Sequence, residues 1–209
     1  MKKTNPIDIS LIEDYGLIDI CDSHDFLVID TSAATDVNWI SLSQSRRKFN
    51  CRIGVKYSAP VEQRIEYNGL IASLFASKSL HTTKRVIGEI ENYKRIERGG
   101  VLSSLQQIVN SVKSNEKVFS LEGTPEFDMY VEDRYFARLA EKHGLSDVDQ
   151  DLLLHFFASL HHKEGSCALI TNDGGILETY KSFGYRLPGK HTVYTALFGQ
   201  KYEPSFARK

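Results

Sequence analysis

Two apolar runs in this chain end in acids. FLVID, residues 26 to 30, closes on Asp30, and ALITND, residues 168 to 173, closes on Thr171, Asn172 and Asp173. A third acid, Glu89, stands beside Val86, Ile87 and Ile90 in TTKRVIGEIENYKR, and a fourth, Asp149, follows Ser146 by three residues in LSDVDQDLL. Asp147 and Asp151 compete with Asp149 for the fourth place. The spacing from Ser146 and from the apolar run LLLHFF favours Asp149, with Asp151 second. Each acid has an ordinary use when taken alone. Asp173, in Asn-Asp-Gly-Gly, can shape a turn or cap a helix, and acids in a first helical turn complement the helix dipole by about 0.3–1 kcal/mol each. Brought within a few ångström of one another, however, four carboxylates raise each other's pKa or require a counter-ion. Hard divalent cations with oxygen ligands, Mg²⁺ or Mn²⁺, are the natural occupants of such a set. Two of them about 3.5–4 Å apart support in-line hydrolysis of a phosphodiester.

Convergence depends on the elements that carry these acids. FLVID is apolar and β-branched without polar alternation, the pattern of a strand buried on both faces, and CALIT, residues 167 to 171, reads the same way. Between them the spacing predicts helices around 37 to 49, over 61 to 77, from Thr83 to the Gly99-Gly100 stop, from Val101, and from Pro125 through His143 as one helix. Another helix follows Ser146, where Asp149 stands at the capping-box position. SLHT and YRL read as short strands, GILETYKSFG as a helix, and the remaining tail is ambiguous. Alternating strands and helices predict an α/β fold with a central, mostly parallel sheet flanked by helices. In such a sheet the strands' carboxyl ends share one edge, where open α/β sheets place their ligands.

FLVIDTSA, TTKRVIGEIE, LSDVDQDLL and ALITND, in that order, resemble the motifs of PIN-domain ribonucleases, a group within the wider PIN-like and flap-nuclease superfamily. The resemblance spans about Phe26 to Leu187. It implies that the first and last stretches are neighbouring central strands and that Asp30, Glu89, Asp149 and Asp173 are catalytic ligands of Mg²⁺ or Mn²⁺. Thr171, Thr31 and Ser32 would line the pocket, with Asp151 in support. The implied reaction is metal-dependent endonucleolytic hydrolysis of RNA. A structure-specific DNA nuclease on the same acids, or a non-catalytic RNA- or protein-binding module, are the other readings. On this reading residues 1 to 25 are an N-terminal extension, 26 to 200 the nuclease domain and 201 to 209 a tail.

Sixty positions separate Glu89 from Asp149, more than a minimal domain of this type needs, so residues 99 to 143 read as a helical insertion. An insertion there is similar to that of the small protein-only ribonuclease P enzymes, which implies tRNA processing; the compact toxin members of the family would instead imply an antitoxin partner. Leu105, Ile108, Val109, Phe127, Tyr130 and Leu139 form apolar stripes in the insertion that need cover, which predicts a homo-oligomer.

Composition limits the choice of partners. The 209 residues are 41% hydrophobic and 25% charged, enough for one sizeable core, and the formal net charge of −1 supplies no global field for a polyanion. Nucleic-acid contact therefore needs a local patch, and Arg46, Arg47, Lys48, Lys84 and Arg85 are the candidates. Cys21, Cys51 and Cys167 are widely spaced with no metal-site pattern, which fits a reducing compartment, the cytoplasm. His155, His161 and His162 lack a second half of a zinc site. No apolar run is long enough to span a membrane, and the first residues lack the apolar stretch of a signal peptide.

Overall fold

The computed structural model of the chain describes residues 8–11, 17–35 and 61–195. The elements in order are β1 (Asp8–Leu11), α1 (Leu17–Ser23), β2 (Phe26–Ile29), α2 (Thr31–Thr35), α3 (Val61–Ser77), β3 (Leu80–His81), α4 (Lys84–Ile96), α5 (Gly99–Ser114), α6 (Pro125–Val131), α7 (Arg134–His143), α8 (Asp147–His162), β4 (Ser166–Ile170), α9 (Gly174–Phe183), a 3-10 turn (Gly184–Arg186) and β5 (Lys190–Thr195). The fold is α/β. The five strands among the described residues are all parallel, in the order β1-β5-β4-β2-β3, and helices flank the sheet. FLVI is buried at every position and SCALI at all but its first, as the lack of polar alternation requires of strands covered on both faces.

The topology decides where a site can form. From β2 the chain moves outward to β3, and from β4 it moves the opposite way to β5, so the order reverses between the adjacent strands β2 and β4. That reversal leaves a crevice beyond their carboxyl ends. Ile29 pairs with Ile170, which sets Asp30 level with Thr171 just past the last rung, and the Asp30 amide donates to the Ile170 carbonyl at 2.9 Å.

Several local expectations change. Residues 8–11 pair in parallel with β5, and Leu17, Ile20 and Cys21 of α1 are buried, so part of the expected N-terminal extension belongs to the domain. The single helix expected over 125 to 143 is two, because the Asp133 carboxylate accepts from the Tyr135 and Phe136 amides and starts α7 afresh. YRL is a 3-10 turn rather than a strand, and part of the ambiguous tail is β5. The expected helix at 37 to 49 lies outside the described residues.

The helices of residues 99 to 143 are not a free arm. α5 packs along α3 and α4, α6 against α8, and α7 against α9. Leu105, Ile108, Val109, Phe127, Tyr130 and Leu139 are all at most 9% exposed, covered by this chain itself. The apolar stripes therefore supply no reason for a second copy. Among the described residues no helix is long and apolar enough to cross a membrane.

Candidate functional site

Asp30, just past the carboxyl end of β2 where the strand order reverses, is 2% exposed. Ser32, at the start of α2, donates its hydroxyl to Asp30 Oδ2, and Thr171 Oγ1 donates to the same oxygen at 2.9 Å. Both hydroxyls also accept: Ser32 Oγ from the Asn172 amide at 3.0 Å, and Thr171 Oγ1 from the Asp173 amide at 3.0 Å. The ends of the two strands are thereby laced together around one carboxylate. Thr31 donates to Glu89 Oε2 at 2.6 Å and so ties α4 to the same end of the sheet.

Asp149 and Asp173 enter from helix starts. Ser146 and Asp149 form a reciprocal capping box: the Asp149 amide donates to Ser146 Oγ at 3.2 Å, and the Ser146 amide and hydroxyl donate to Asp149 Oδ2 at 2.9 and 2.7 Å. Asp173 caps α9 by accepting the Ile176 amide on Oδ1 at 2.9 Å. The three aspartates share a pattern. Each has one oxygen held by backbone or hydroxyl donors, while among the described residues no donor reaches Asp30 Oδ1, Asp149 Oδ1 or Asp173 Oδ2.

Electrostatics show that these groups feel one another. Burial pushes the Asp30 carboxyl up to about 7; the Ser32 and Thr171 hydroxyls oppose the rise, and the charges of Asp149 and Asp173 add to it. Asp149 is also raised, first by burial, with the Ser146 bonds opposing and Asp173 contributing. The mutual repulsion would be relieved by a bound cation or a retained proton, although among the described residues no three of Asp30, Glu89, Asp149 and Asp173 bring ligand atoms within 4.8 Å of one another. Their donor set is all oxygen, which suits a hard divalent ion.

Asp151 is placed differently. Two residues beyond Asp149 on α8, it is buried, with Arg85 Nε of α4 at 3.3 Å and His155 Nε2 at 3.7 Å from Oδ1. Arg85, a candidate phosphate contact in the sequence, is thus occupied by an acid. Lys84, next to it, is exposed. Arg46, Arg47 and Lys48 lie outside the described residues.

Among the described residues, Glu122, Asp151 and His155 bring potential ligand atoms within 4.8 Å of one another. The sequence does not join Glu122 to the others, because nothing local links a loop acid to a helix 29 positions on; the four-residue spacing of Asp151 and His155 is the one signal it carries. The imidazole's hydrogen bonding argues against a metal there. The Leu121 amide donates to His155 Nδ1 at 3.1 Å, so the neutral ring carries its proton on Nε2 and directs it towards Asp151. Burial, the largest influence on this ring, lowers its pKa and keeps it neutral. The lone pair a metal would need on Nε2 is therefore absent. The other two histidines part from it: His161 bonds the Tyr130 hydroxyl at 2.9 Å, and His162 lies 3.0 Å from Glu126.

Comparison of the chain with protein-family models, with curated proteins and with solved structures yields no match.

Proposed function

We propose that the chain is a metal-dependent endoribonuclease of PIN type, hydrolysing RNA phosphodiesters at the crevice between β2 and β4. The observation that carries this reading is Asp30: a buried carboxylate at the topological switch point, with one oxygen bound by two hydroxyls and with Asp149 and Asp173 close enough to raise its pKa. The donor set fits Mg²⁺ or Mn²⁺. Asp30, Asp149 and Asp173 would hold the ion through their undonated oxygens, and Glu89, fixed by Thr31, would do so directly or through water. When bound, such an ion lowers the pKa of its water and offsets charge on the phosphoryl oxygens. The chain's own residues keep the acids aimed. Ser32 and Thr171 prevent the Asp30 carboxylate from turning, and the helix caps do the same for Asp149 and Asp173. Cys21 and Cys167 are free and buried, which favours a reducing compartment such as the cytoplasm.

One observation favours a second reading. Asp149 and Asp173 both serve as helix caps, which is reason enough for acids at those positions in a non-catalytic RNA- or protein-binding module. The test combines Mn²⁺ titration calorimetry with cleavage assays on single-stranded and structured RNA. The expected result is Mn²⁺ binding, cleavage abolished by EDTA, and loss of both functions in Asp30→Asn. Cleavage that persists in EDTA rules out the metal reading, preferential cutting of flap DNA makes the enzyme a DNA nuclease, and a chain that neither binds Mn²⁺ nor cuts is the module.

A further inference from the structure

The exposed face of α7 carries Arg134, Arg138 and Lys142 at four-residue spacing, with Ala137 and Glu141 between them. The buried face of the helix, Phe136, Leu139 and Ala140, is spent on packing, so the cations stand on the solvent side. Several other cations are engaged by carboxylates, Arg64 by Glu97, Lys113 by Glu91 and Arg186 by Asp133, while Lys84, Lys94, Arg95 and Arg98 have no ion pair among the described residues. Among the described residues, none of the three α7 cations has an ion pair. Arg138 also lies 5.9 Å from the Tyr135 ring centroid and donates from Nε to the Arg134 carbonyl at 3.3 Å, which limits how far its guanidinium wanders.

The row of cations leads to the acids. α7 ends at His143, and Gly175 lies in the first turn of α9, two residues after the Asp173 cap. A side-chain carbon placed on Gly175 would sit 2.9 Å from the His143 carbonyl oxygen and 3.1 Å from Asp173 Oδ1. The carboxyl end of the cationic helix therefore lies against the start of α9, which Asp173 caps, and Lys142 is the cation nearest that end of α7 along the helix. At 1.5 Å rise per residue the three positions span about 12 Å, the axial length of roughly three to four phosphates in a stacked strand. An acidic pocket repels a polyanion, so a substrate strand needs cations to hold it while the scissile phosphate enters.

We propose that the exposed face of α7 is the track for the RNA strand on one side of the scissile phosphate, with Arg134, Arg138 and Lys142 contacting backbone phosphates along it. This rests on the nuclease reading and adds the path of the substrate to it. Phosphate contact by side chains that make no base contact gives an affinity that is insensitive to sequence and steeply dependent on salt.

The test measures binding apart from cleavage. In the full-length chain carrying Asp30→Asn, with EDTA present, fluorescence anisotropy of a labelled 20-nucleotide single-stranded RNA is followed from low to moderate salt. Adding R134E and R138E, or the milder R134A and R138A, is expected to weaken binding at least tenfold at low salt and to reduce the slope of log affinity against log salt by about 1.4, at roughly 0.7 for each phosphate that is no longer neutralised. A control, Lys113→Glu on α5, should leave both unchanged. Melting curves accompany each variant, and the alanine pair serves if charge reversal disturbs folding. Unchanged affinity and slope in both pairs overturn the proposal, as does absence of RNA binding by the parent. Equal or tighter binding of single-stranded DNA of the same sequence overturns RNA as the occupant. If the parent binds RNA through α7 but the wild type never cuts it with Mn²⁺, the track stands and the nuclease reading falls.

Discussion

Asp173 divides its two oxygens between two tasks. Oδ1 accepts the Ile176 amide and starts α9, while Oδ2 has no donor among the described residues and is the oxygen that the proposed nuclease would use for the metal. The two tasks can be separated by substitution, because Asn caps a helix about as well as Asp while lacking its charge. Asp173→Asn is expected to keep the stability of the metal-free chain within about 0.5 kcal/mol and to lower cleavage by at least about a hundredfold, taking a contribution of ~2.7 kcal/mol or more to transition-state stabilisation. Asp173→Ala should lose the same activity and in addition cost about 1 kcal/mol of stability through the missing cap. Urea unfolding without metal, set beside cleavage rates with Mn²⁺, distinguishes the effects. An Asn variant that unfolds as easily as the Ala variant would mean that the charge, not the hydrogen bond, supports the helix.

At the scale of elements, the relation of α7 to α9 is set by a glycine. A Cβ on Gly175 would meet the His143 carbonyl at 2.9 Å, Leu145 Cδ2 at 3.0 Å and Asp173 Oδ1 at 3.1 Å, and the first of these is backbone that cannot rotate away. Gly175→Ala is therefore expected to cost about 1–3 kcal/mol as the two helices are pushed apart, and to reduce cleavage because Asp173 moves with α9. Gly69, in the interior of α3, has nothing within 4 Å of such a carbon. There the same substitution should stabilise by about 0.5–1 kcal/mol by removing backbone freedom from the unfolded chain. Thermal or urea unfolding of the pair reads out opposite signs. Equal effects would show that the α7–α9 approach is looser than its distances indicate.

For the whole molecule, buried titratable groups oppose one another with pH. Burial lowers the pKa of His81, His155 and His191, so the fold holds them neutral. Their contribution is complete above the unfolded value near 6.5 and is lost as pH falls through it towards their lowered folded values. Asp30 behaves in the opposite way. Its folded pKa is raised from 3.8 to about 7, so its contribution is complete below the ordinary carboxyl value and is lost as pH rises through about 7. Without metal, Asp30→Asn is expected to gain melting temperature relative to the wild type as pH rises from about 4 to about 7.5, because the histidines contribute equally to both chains and only the wild type loses the Asp30 contribution. Mn²⁺ should raise the melting temperature of the wild type more at pH 8 than at pH 5, since protonated acids bind it poorly. Calorimetric scans across this range make the check. An Asp30→Asn profile parallel to that of the wild type would mean that Asp30 is ionised in the fold at neutral pH.

Much of this was legible from order and spacing alone. Strands that lack polar alternation must be covered on both faces, so FLVI and SCALI specified a parallel sheet, and the acids just beyond them had to lie at its carboxyl edge. Ser146 with Asp149 three residues on specified a capping box, a contact within one turn. What the sequence could not supply was everything set by packing between distant segments. Asp149 and Asp151 are two residues apart on one helix, and only the neighbours that cover each side assign Asp149 to Asp30 and Asp173, and Asp151 to Arg85 and His155. The stripes of residues 99 to 143 showed that those helices bury a face but not against what, and α3, α8 and α9 supply the answer. The cations of α7 belong to the same class. Their spacing is local and was there to be read, but their nearness to Asp173 depends on the close approach at Gly175. Periodicity reports the environment a side chain needs, whereas long-range packing chooses the group that provides it.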